Sequence, residues 1–394
     1  MDNTSFSYHL KQKYSDMYMT AARRERYYEQ LAYVYDPSKE ANDHNSALQQ
    51  IYMGGLTPSQ KTVPVASDIE TDSLRDAEAT IASVSRGNAL TFSEQIPLNT
   101  YTNWIAEVMN LFGQNMQKSI ELLPMKVALQ DSTQYPTAAR ASIDAGTAAH
   151  KMSKSLLDKI ESRFDTFKIP FYYDKTGENI LCLINPDVYA DILADTVILT
   201  IGEYSDPSII LNKELGRYGR IRFLRSPDAH VYYGTGSANA TDVNTTLAAD
   251  ANALSKTMTV AANTNMAVGQ RLTVGNLESS TTFYPKTEQV IVEAISDTTI
   301  TISGGGINGG FEFDHSSGEV VNHNDSVYPT VFGGPKSIAK KFAKEVGEFG
   351  QVVGPKLEGN ANHIRTLAWK WYGGYGTFRK NSMIHIETAS GYDA

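Results

Sequence analysis

The sequence predicts an α+β fold that carries a small all-β domain within it. Two observations lead to this prediction. Helices and strands do not alternate strictly, as they would in a parallel α/β fold. The composition also changes abruptly at Gly234, where a segment rich in Thr, Asn, Ala and Gly begins. At 394 residues the chain is long enough for two or three domains and at least one large buried core.

The composition is typical of a globular protein rather than a membrane protein or a secreted one. Hydrophobic residues make up 41% of the chain, charged residues 20%, and the formal net charge is −9. The chain contains no run of about 18 apolar residues, the length needed to span a membrane. Its polar N-terminus lacks the pattern of a signal peptide. The single cysteine, Cys182, is expected in the core of a protein made in a reducing cytoplasm. The 22 tyrosines favour extensive protein–protein contact.

The first 53 residues form a predicted N-terminal arm with helical pieces. Arg23, Arg24 and Arg26 lie in "MTAARRERYYEQLAYVY", ahead of a run of tyrosines and aliphatic residues. These arginines belong either to a solvated helix face or to an arm that grips a neighbouring subunit or a polyanion. The net charge of +1 over residues 1–35 is too small to indicate nucleic-acid binding.

Residues 54–90 form a predicted extended excursion. Glycines and prolines interrupt helical periodicity in its first part. The segments "EATIASVS" and "ALTFSEQI" alternate apolar and polar residues on either side of Gly87–Asn88, a turn signal. This pattern predicts a two-stranded ribbon.

Two helices, a strand and a third helix are predicted next. Residues 99–123 carry apolar side chains at three-to-five-residue steps and predict the longest helix, which Pro124 ends or kinks. A second helix is predicted from about Thr147. The apolar segment "ILCLIN" predicts a buried strand, and a turn at Asn185–Pro186 leads into a short helix.

Residues 234–325 predict a self-contained acidic β domain spliced into the rest of the chain. "QRLTVG", "EQVIVEAI" and "TTITISG" are short alternating strands separated by turn residues, as in a small β-sandwich or barrel. The segment holds three Lys or Arg residues against ten Asp or Glu residues, a net charge of −7. The last part of the chain predicts a helix around Trp369 and Trp371 and a final strand that ends near Glu387.

No cofactor, metal site or catalytic residue is predicted. "GGGINGG" (304–310) lacks the Lys-Ser/Thr pair and the following helix of a phosphate-binding loop, so a β-turn is the preferred interpretation. His315 and His323, beside Asp314 and Asp325, are weak metal-ligand candidates because their spacing matches no recognised ligand geometry. No nucleophile, base and orienting group stand together in the sequence.

The most basic stretch, "KELGRYGRIRFL" (213–224), raises the question of nucleic-acid binding. Its aromatic residues do not alternate on one face, as they do in an RNA-recognition strand. In a strand from Arg220, Ile221 and Phe223 share one face while Arg220 and Arg222 share the other. Apolar residues on one face and charged residues on the other are typical of an ordinary half-buried strand, so the structural interpretation is preferred.

Three segments together resemble a known family. They are "NKELGRYGRIRFLRS", "VYPTVFGGPKSIAKKF" and "LAWKWYGGYGTFRKNSMIHIE", and they resemble the major capsid protein of tailed bacteriophages, in the branch typified by coliphage N-four. The sequence departs from the family pattern at Arg220, where a glycine is usual, and at Pro335, where an acidic residue is usual. The matching positions are Glu214, Gly216, Tyr218, Gly219, Arg222, Phe223, Phe332, Gly333, Trp369, Lys370, Ile386 and Glu387.

The resemblance implies a Hong Kong 97-type fold, including a Trp-Lys helix before the C-terminal strand. The implied parts are an N-terminal arm (1–53), an extended E-loop (54–90), a peripheral (P) domain with the spine helix (91–146), an axial (A) domain with the central sheet (147–233), the inserted acidic β domain (234–325), and a return to both domains with the C-terminal strand (326–394).

The implied function is structural and not enzymatic. The chain would be made in the host cytoplasm and would self-assemble into hexamers and pentamers of an icosahedral head that encloses double-stranded DNA. Its expected partners are copies of itself, a portal protein, packaged DNA by non-specific contact, and scaffolding and decoration or cement proteins as further candidates, with no membrane. Subunit-interface candidates are Arg23, Arg24, Arg26, Arg75, Arg86, Arg217 and Arg220. The alternatives are an adhesin or decoration protein that binds a receptor through the acidic β domain, and an enzyme.

Overall fold

The computed structural model describes residues 26–34, 48–53, 76–93, 104–134, 138–174, 177–195, 217–279, 282–343, 347–348, 350–358, 364–379 and 381–392. The chain divides into a first unit, Met1–Val127 with Lys336–Lys380, and a second unit, Ala128–Pro335 with Asn381–Ala394. The described residues contain three α-helices: α1 (Trp104–Gln130), α2 (Lys154–Thr166) and α3 (Pro186–Ala194).

The described strands, in chain order, are β1 (Ala32–Val34), β2 (Leu48–Met53), β3 (Asp76–Ile81), β4 (Val84–Ser93), β5 (Thr133–Gln134), β6 (Tyr172–Asp174), β7 (Gly177–Ile184), β8 (Arg217–Tyr218), β9 (Ile221–Arg225), β10 (Asn244–Thr246), β11 (Thr257–Thr259), β12 (Arg271–Val274), β13 (Glu288–Ser296), β14 (Thr299–Ser303), β15 (Val320–Asn322), β16 (Tyr328–Gly333), β17 (Ile338–Phe342), β18 (Gln351–Glu358), β19 (Ile364–Thr377) and β20 (Met383–Thr388).

A five-stranded sheet organises the first unit. Its order is β1-β17-β19-β18, and β4 also pairs with β19, along residues 364–373. Side chains of α1 such as Met109, Met116 and Ile120 form one buried cluster with Leu367 and Trp371 of β19. The apolar face of the long helix therefore packs on the centre of this sheet. A separate two-stranded ribbon is formed by β2 and β3.

The prediction of a ribbon that turns at Gly87–Asn88 is wrong. Strand β4 runs straight through both residues and pairs with β19, whereas β3 pairs with β2. Gly87 serves a close approach instead of a turn, since a Cβ atom there would lie 2.3 Å from the carbonyl oxygen of Trp369.

The predicted helix around Trp369 and Trp371 is also wrong. These residues lie in β19, where Leu367, Trp369 and Trp371 are buried and Lys370 between them is exposed. This two-residue alternation is the period of a strand, and tryptophan favours strands. A lysine between two tryptophans is compatible with a helix or a strand over so short a segment.

The longest helix extends beyond its predicted end. It continues to Gln130 with Pro124 inside it, and Met125, Ala128 and Leu129 are buried on its last turns. A buried face keeps the helix intact past the proline, although proline removes one backbone hydrogen bond. The helix start predicted at residue 99 lies outside the described residues. The helix predicted from Thr147 begins instead at Lys154, after a short 3-10 turn at Ala148–His150.

A mixed sheet forms the centre of the second unit. Its order is β5-β20-β16-β7-β9-β8, with β6 paired to the start of β7. Every residue of β16 and β20 is buried, as expected for strands covered on both faces. The predicted buried strand is confirmed as β7, the predicted turn lies at Asn185, and the predicted short helix is α3. The Asn185 side chain caps α3 by accepting a hydrogen bond of 2.9 Å from the backbone N–H of Asp187.

The acidic segment forms a six-stranded sheet in the order β10-β15-β12-β13-β14-β11. A bridge between Leu247 and Val260 joins the two outer strands, and the Ala248 N–H donates to the Thr259 carbonyl at 2.8 Å. The sheet is therefore closed into a small barrel, one of the two predicted forms. The three strands read from the sequence are confirmed as β12, β13 and β14. The interior is filled by apolar side chains such as Leu272, Ile300 and Phe311.

Candidate functional site

The described part of the basic stretch, from Arg217 onward, forms a tight hairpin in the second unit, and residues 213–216 lie outside the described residues. Strands β8 and β9 are joined at Gly219, which has a φ of +55°, a conformation that favours glycine. A Cβ atom at Gly219 would also lie 2.9 Å from Oε2 of Glu161. In β9, Ile221 is buried and Arg222 is exposed. The prediction of a half-buried strand with its charges outward is confirmed.

Arg220 is held by carboxylates of its own chain. Its guanidinium lies 2.6 Å from Glu161, 2.5 Å from Asp165 and 3.4 Å from Glu178, and it stacks 4.6 Å over the ring of Phe171. Hydrogen bonds to Asp165 and Glu161 raise the pKa of Arg220. This arginine therefore ties the hairpin to α2 and to the edge of β7.

Of the seven interface candidates, Arg26, Arg86, Arg217 and Arg220 lie among the described residues. Arg217 is exposed and donates to the backbone carbonyls of Gly219 and Glu178 at 2.7 and 3.1 Å. Arg86 is partly buried on β4 and lies 3.4 Å from the Gly373 carbonyl; burial lowers its pKa. The remaining candidates, Arg23, Arg24 and Arg75, lie outside the described residues.

Arg26 belongs to a buried charge cluster that the sequence analysis missed. It donates to Glu29 at 2.8 Å, and the same carboxylate binds Lys340 and accepts from the Tyr375 hydroxyl at 3.2 Å. The Lys340 side chain is fully buried and also lies 2.7 Å from Glu348. Because these charges meet inside the first unit, Arg26 serves the folding of its own chain.

Glu121 of α1 completes the attachment of this N-terminal segment. Its Oε1 accepts from the backbone N–H of Tyr28 at 2.5 Å, and its Oε2 is buried without a hydrogen-bond partner. Burial and the nearby Glu29 carboxylate raise the pKa of Glu121 to about 7, against the lowering effect of the Tyr28 hydrogen bond and Arg26. No local pattern in the sequence could have found this contact, because its partners are 93 residues apart.

A hydroxyl, an imidazole and a carboxylate meet in the second unit, but they are oriented for structure. Ser132 Oγ lies 2.7 Å from Nδ1 of His385, and Nε2 of His385 lies 3.8 Å from Glu387. The serine O–H donates to the Ala128 carbonyl, so its oxygen accepts from the imidazole. An activated nucleophile needs the opposite direction. Burial lowers the pKa of His385, and Glu387 is bound by Arg140 at 3.0 Å.

The two histidines considered as metal ligands are separated by the fold. His315 is buried in the barrel, where its Nε2 lies 2.9 Å from Glu288 and its Nδ1 lies 2.7 Å from Glu319. Burial acts to lower the pKa of His315, but the hydrogen bonds to both carboxylates outweigh it and raise that pKa. His323 lies elsewhere, with its Nδ1 2.7 Å from the Arg271 carbonyl oxygen.

The described residues contain neither a group of metal-ligating side chains nor a helix that could span a membrane. No three His, Cys, Asp or Glu side chains within them are grouped as metal ligands. In the same part of the chain, no helix combines the length and apolar character needed to cross a membrane. Cys182 is buried in the core, as predicted, and its burial raises the pKa of the thiol.

Comparison with known proteins identifies the fold. No protein-family model and no curated protein sequence matches the chain. Solved structures match along nearly its whole length. The capsid asymmetric unit of cyanophage Pam1 has a TM-score of 0.54 at 10% identity, covering 94% of this chain and 93% of that one. The capsid of cyanophage P-SCSP1u gives 0.52 at 10% identity, covering 93% and 89%. The capsid of Ralstonia phage GP4 gives 0.51 at 9% identity, covering 93% and 92%.

These similarities lie in backbone arrangement and not in sequence, since about one residue in ten is identical. They extend over both units and over the barrel segment, because no more than 7% of this chain is left uncovered in each of the three comparisons. The chain therefore has the fold of phage capsid proteins.

Proposed function

We propose that this chain is the major capsid subunit of a tailed bacteriophage, built on a Hong Kong 97-type fold. The observation that carries the proposal is the nearly end-to-end match of its fold to three phage capsid structures. In this proposal, copies of the chain assemble into hexamers and pentamers of an icosahedral head around double-stranded DNA. The role is that of a container and not of a catalyst.

The surface of the first unit supports assembly. Strand β4 is ten residues long, yet only Phe92 of its side chains is buried. Val84 and Leu90 are 46% and 38% exposed. An edge strand with exposed apolar residues is normally protected from unwanted pairing, and a neighbouring subunit would provide that cover. We therefore include β4, with Arg86, among the proposed subunit contacts.

The exposed charge on the second unit offers another contact. Arg217 projects from the β8–β9 hairpin, which Arg220 braces against α2. A rigid arginine at the edge of a sheet is suited to recognition of a carboxylate on a neighbouring subunit. Repetition of such contacts around closed symmetry axes turns weak pairwise affinity into a stable shell.

The barrel is proposed as a domain inserted into the capsid fold. The segments that enter and leave it run side by side. Tyr232 is bridged to Val327, and the Gly236 N–H donates to the Asp325 carbonyl at 2.8 Å. Adjacent ends allow a domain to be inserted without disturbing the host. The barrel would then present its acidic surface on the shell and stabilise capsomers.

Electron microscopy tests the proposed function. The full chain is expressed alone, examined by negative stain and sized by sedimentation velocity. We expect shells, tubes or six-fold rings, and coexpression with a scaffolding protein is the second condition if free subunits remain. A discrete monomer or trimer under both conditions would contradict the capsid assignment.

Two variants refine the test. Replacement of residues 235–325 by a short linker is expected to leave a folded subunit that forms less stable shells. Arg217→Glu is expected to lower the assembled fraction while far-UV circular dichroism stays unchanged. Loss of all folded protein on deletion would show that the barrel is part of the main core.

A further inference from the structure

Two chain segments connect the barrel to the rest of the second unit, and they run side by side. Tyr232 is bridged to Val327, and the Gly236 N–H donates to the Asp325 carbonyl. Two adjacent connections define a line about which an inserted domain can turn, and relative motion is the default for domains that share only a small contact. A fixed orientation of the barrel therefore needs a third attachment that lies outside these two segments.

A loop of the barrel supplies that attachment. Phe283, in the loop between β12 and β13, lies 4.7 Å from the His230 ring and 6.3 Å from the Tyr232 ring, measured between ring centroids. The His230 and Tyr232 rings are themselves 4.6 Å apart. All three separations fall within the favoured range for aromatic contacts, about 4.5–7 Å. One aromatic side chain of the barrel thus packs against two rings that precede the barrel in the chain.

A polar contact stands beside the aromatic one. Glu278 Oε2 lies 2.7 Å from Nε2 of His230, and the two side chains are only 10% and 13% exposed. The other carboxylate oxygen of Glu278 accepts from the Tyr284 N–H at 3.0 Å, so the loop itself fixes the carboxylate. Aromatic rings tolerate small displacements, whereas a polar contact away from water weakens steeply when its geometry changes. The two contacts together favour a single orientation.

The surface that receives the loop is held by the central sheet. The Arg140 guanidinium lies 3.8 Å from the centroid of the Tyr232 ring, within the range of a cation–π contact. Glu387 of β20 binds the same guanidinium at 3.0 Å, and every residue of β20 is buried. Tyr232 is therefore fixed relative to the core of the second unit.

We propose that Glu278 and Phe283 form a docking strap that holds the barrel in one orientation on the rest of the second unit, with His230 and Tyr232 as the receiving surface. A barrel held in this way presents the same surface in every copy of the chain. Because little orientational freedom is then lost when that surface meets a neighbour, contacts through it cost less entropy. The proposal rests on the barrel being an inserted domain, as proposed above, and does not depend on the capsid assignment.

Distances between spin labels on the free full-length subunit test the proposal. The single native cysteine, Cys182, is buried, so labels can be attached through Lys159→Cys on α2 and Glu293→Cys on β13, both exposed positions. Pulsed electron paramagnetic resonance of this labelled parent should give one narrow distance distribution. Adding Phe283→Ala together with Glu278→Gln should broaden it, because the barrel can then turn about its two connections.

Trypsin cleavage after Lys286 measures the size of the effect. Lys286 is exposed and belongs to the same loop, so its cleavage rate follows the population in which the loop is undocked. Phe283→Ala removes two aromatic contacts and should raise this rate about tenfold; an unchanged rate would mean that the ring does not hold the loop. Val268→Ala trims an exposed apolar side chain elsewhere on the barrel. It is the matched control and should leave both the rate and the distances unchanged.

Three results of the distance measurement would overturn the proposal. A broad distribution in the labelled parent would show that the barrel turns despite the strap. A distribution that stays narrow in the double variant would show that the two connecting segments fix the orientation alone. Loss of the folded second unit in that variant, followed by circular dichroism, would show that the cluster belongs to one continuous core and not to a docking contact. Shell formation is scored separately, so each of these results leaves the capsid assignment standing.

Discussion

Glu121 gives the first unit a pH dependence that can be calculated. Its carboxyl has a pKa of about 7 in the folded chain, against an ordinary value of 4.5. Because the folded state holds this proton more tightly, the stability contribution is fully present below pH 4.5 and is lost as pH rises through 7. The difference between the two pKa values corresponds to about 3 kcal/mol of unfolding free energy.

Glu121→Gln should remove this dependence. The amide cannot ionise, and its oxygen can still accept from the Tyr28 N–H. The wild type should lose about 3 kcal/mol more stability between pH 4.5 and pH 8 than the variant does. Comparing pH slopes cancels any constant cost of packing the new amide group. Glu107→Gln, an exposed position on the same helix, is the matched control and should keep the wild-type slope.

Tryptophan fluorescence during urea unfolding of free subunits is the assay. All three tryptophans of the chain belong to the first unit, so the signal reports this unit even if the two units unfold separately. Equal pH slopes for the wild type and Glu121→Gln would refute the reasoning. They would mean that water or a shift of Tyr28 relieves the buried carboxylate.

Three further predictions concern other parts of the chain. Lys340→Met leaves two carboxylates without their buried cation and should lower the free energy of unfolding, followed by tryptophan fluorescence, by about 3 kcal/mol. The exposed substitution Lys370→Met should lower it by less than about 0.5 kcal/mol. Equal losses would contradict the role of the charge cluster. The pKa of His315 is raised in the folded chain. Its contribution to folding stability is therefore present below its unfolded-state pKa, near 6.5, and is lost as pH rises through its folded-state pKa. Circular dichroism melts should therefore show less loss of second-unit stability above neutral pH in His315→Gln, and an unchanged pH profile would count against this. Gly374→Ala would place a Cβ atom 2.2 Å from the Ala82 carbonyl oxygen and should cost about 2 kcal/mol; an unchanged urea midpoint would show that the backbone relaxes freely.

Local patterns in the sequence were sufficient for elements whose signals lie within a few residues. Asn185 and the following proline marked the start of α3, and the alternating segments after Gly234 marked three barrel strands. The error at Trp369 and Trp371 arose although the alternation was present, because a lysine between two tryptophans fits a helix and a strand equally over so short a window. Gly87 beside Asn88 has the sequence of a turn, but the close approach of β19 is what requires a glycine there.

The charge clusters could not have been predicted, because their members meet only in the folded chain. Glu29 and Lys340 are 311 residues apart in sequence, and Arg220 and Glu161 are 59 apart. One cluster ties a short N-terminal strand to the rest of its unit, and the other ties down a hairpin that contains a two-residue strand. Sequence composition gives the net charge but not which charges are buried.

The distribution of these clusters bears on the proposed assembly. Arg26 and Arg220 were candidates for contacts between subunits, yet both are engaged by carboxylates of their own chain. A charge neutralised within the subunit contributes little to a partner, since breaking its existing pair costs about as much as the new contact would return. Covering the exposed apolar side chains of β4, such as Val84 and Leu90, would break no ion pair. We therefore infer that assembly depends on covering strand β4, and that Arg26 and Arg220 act earlier by fixing the shape of the subunit that assembles.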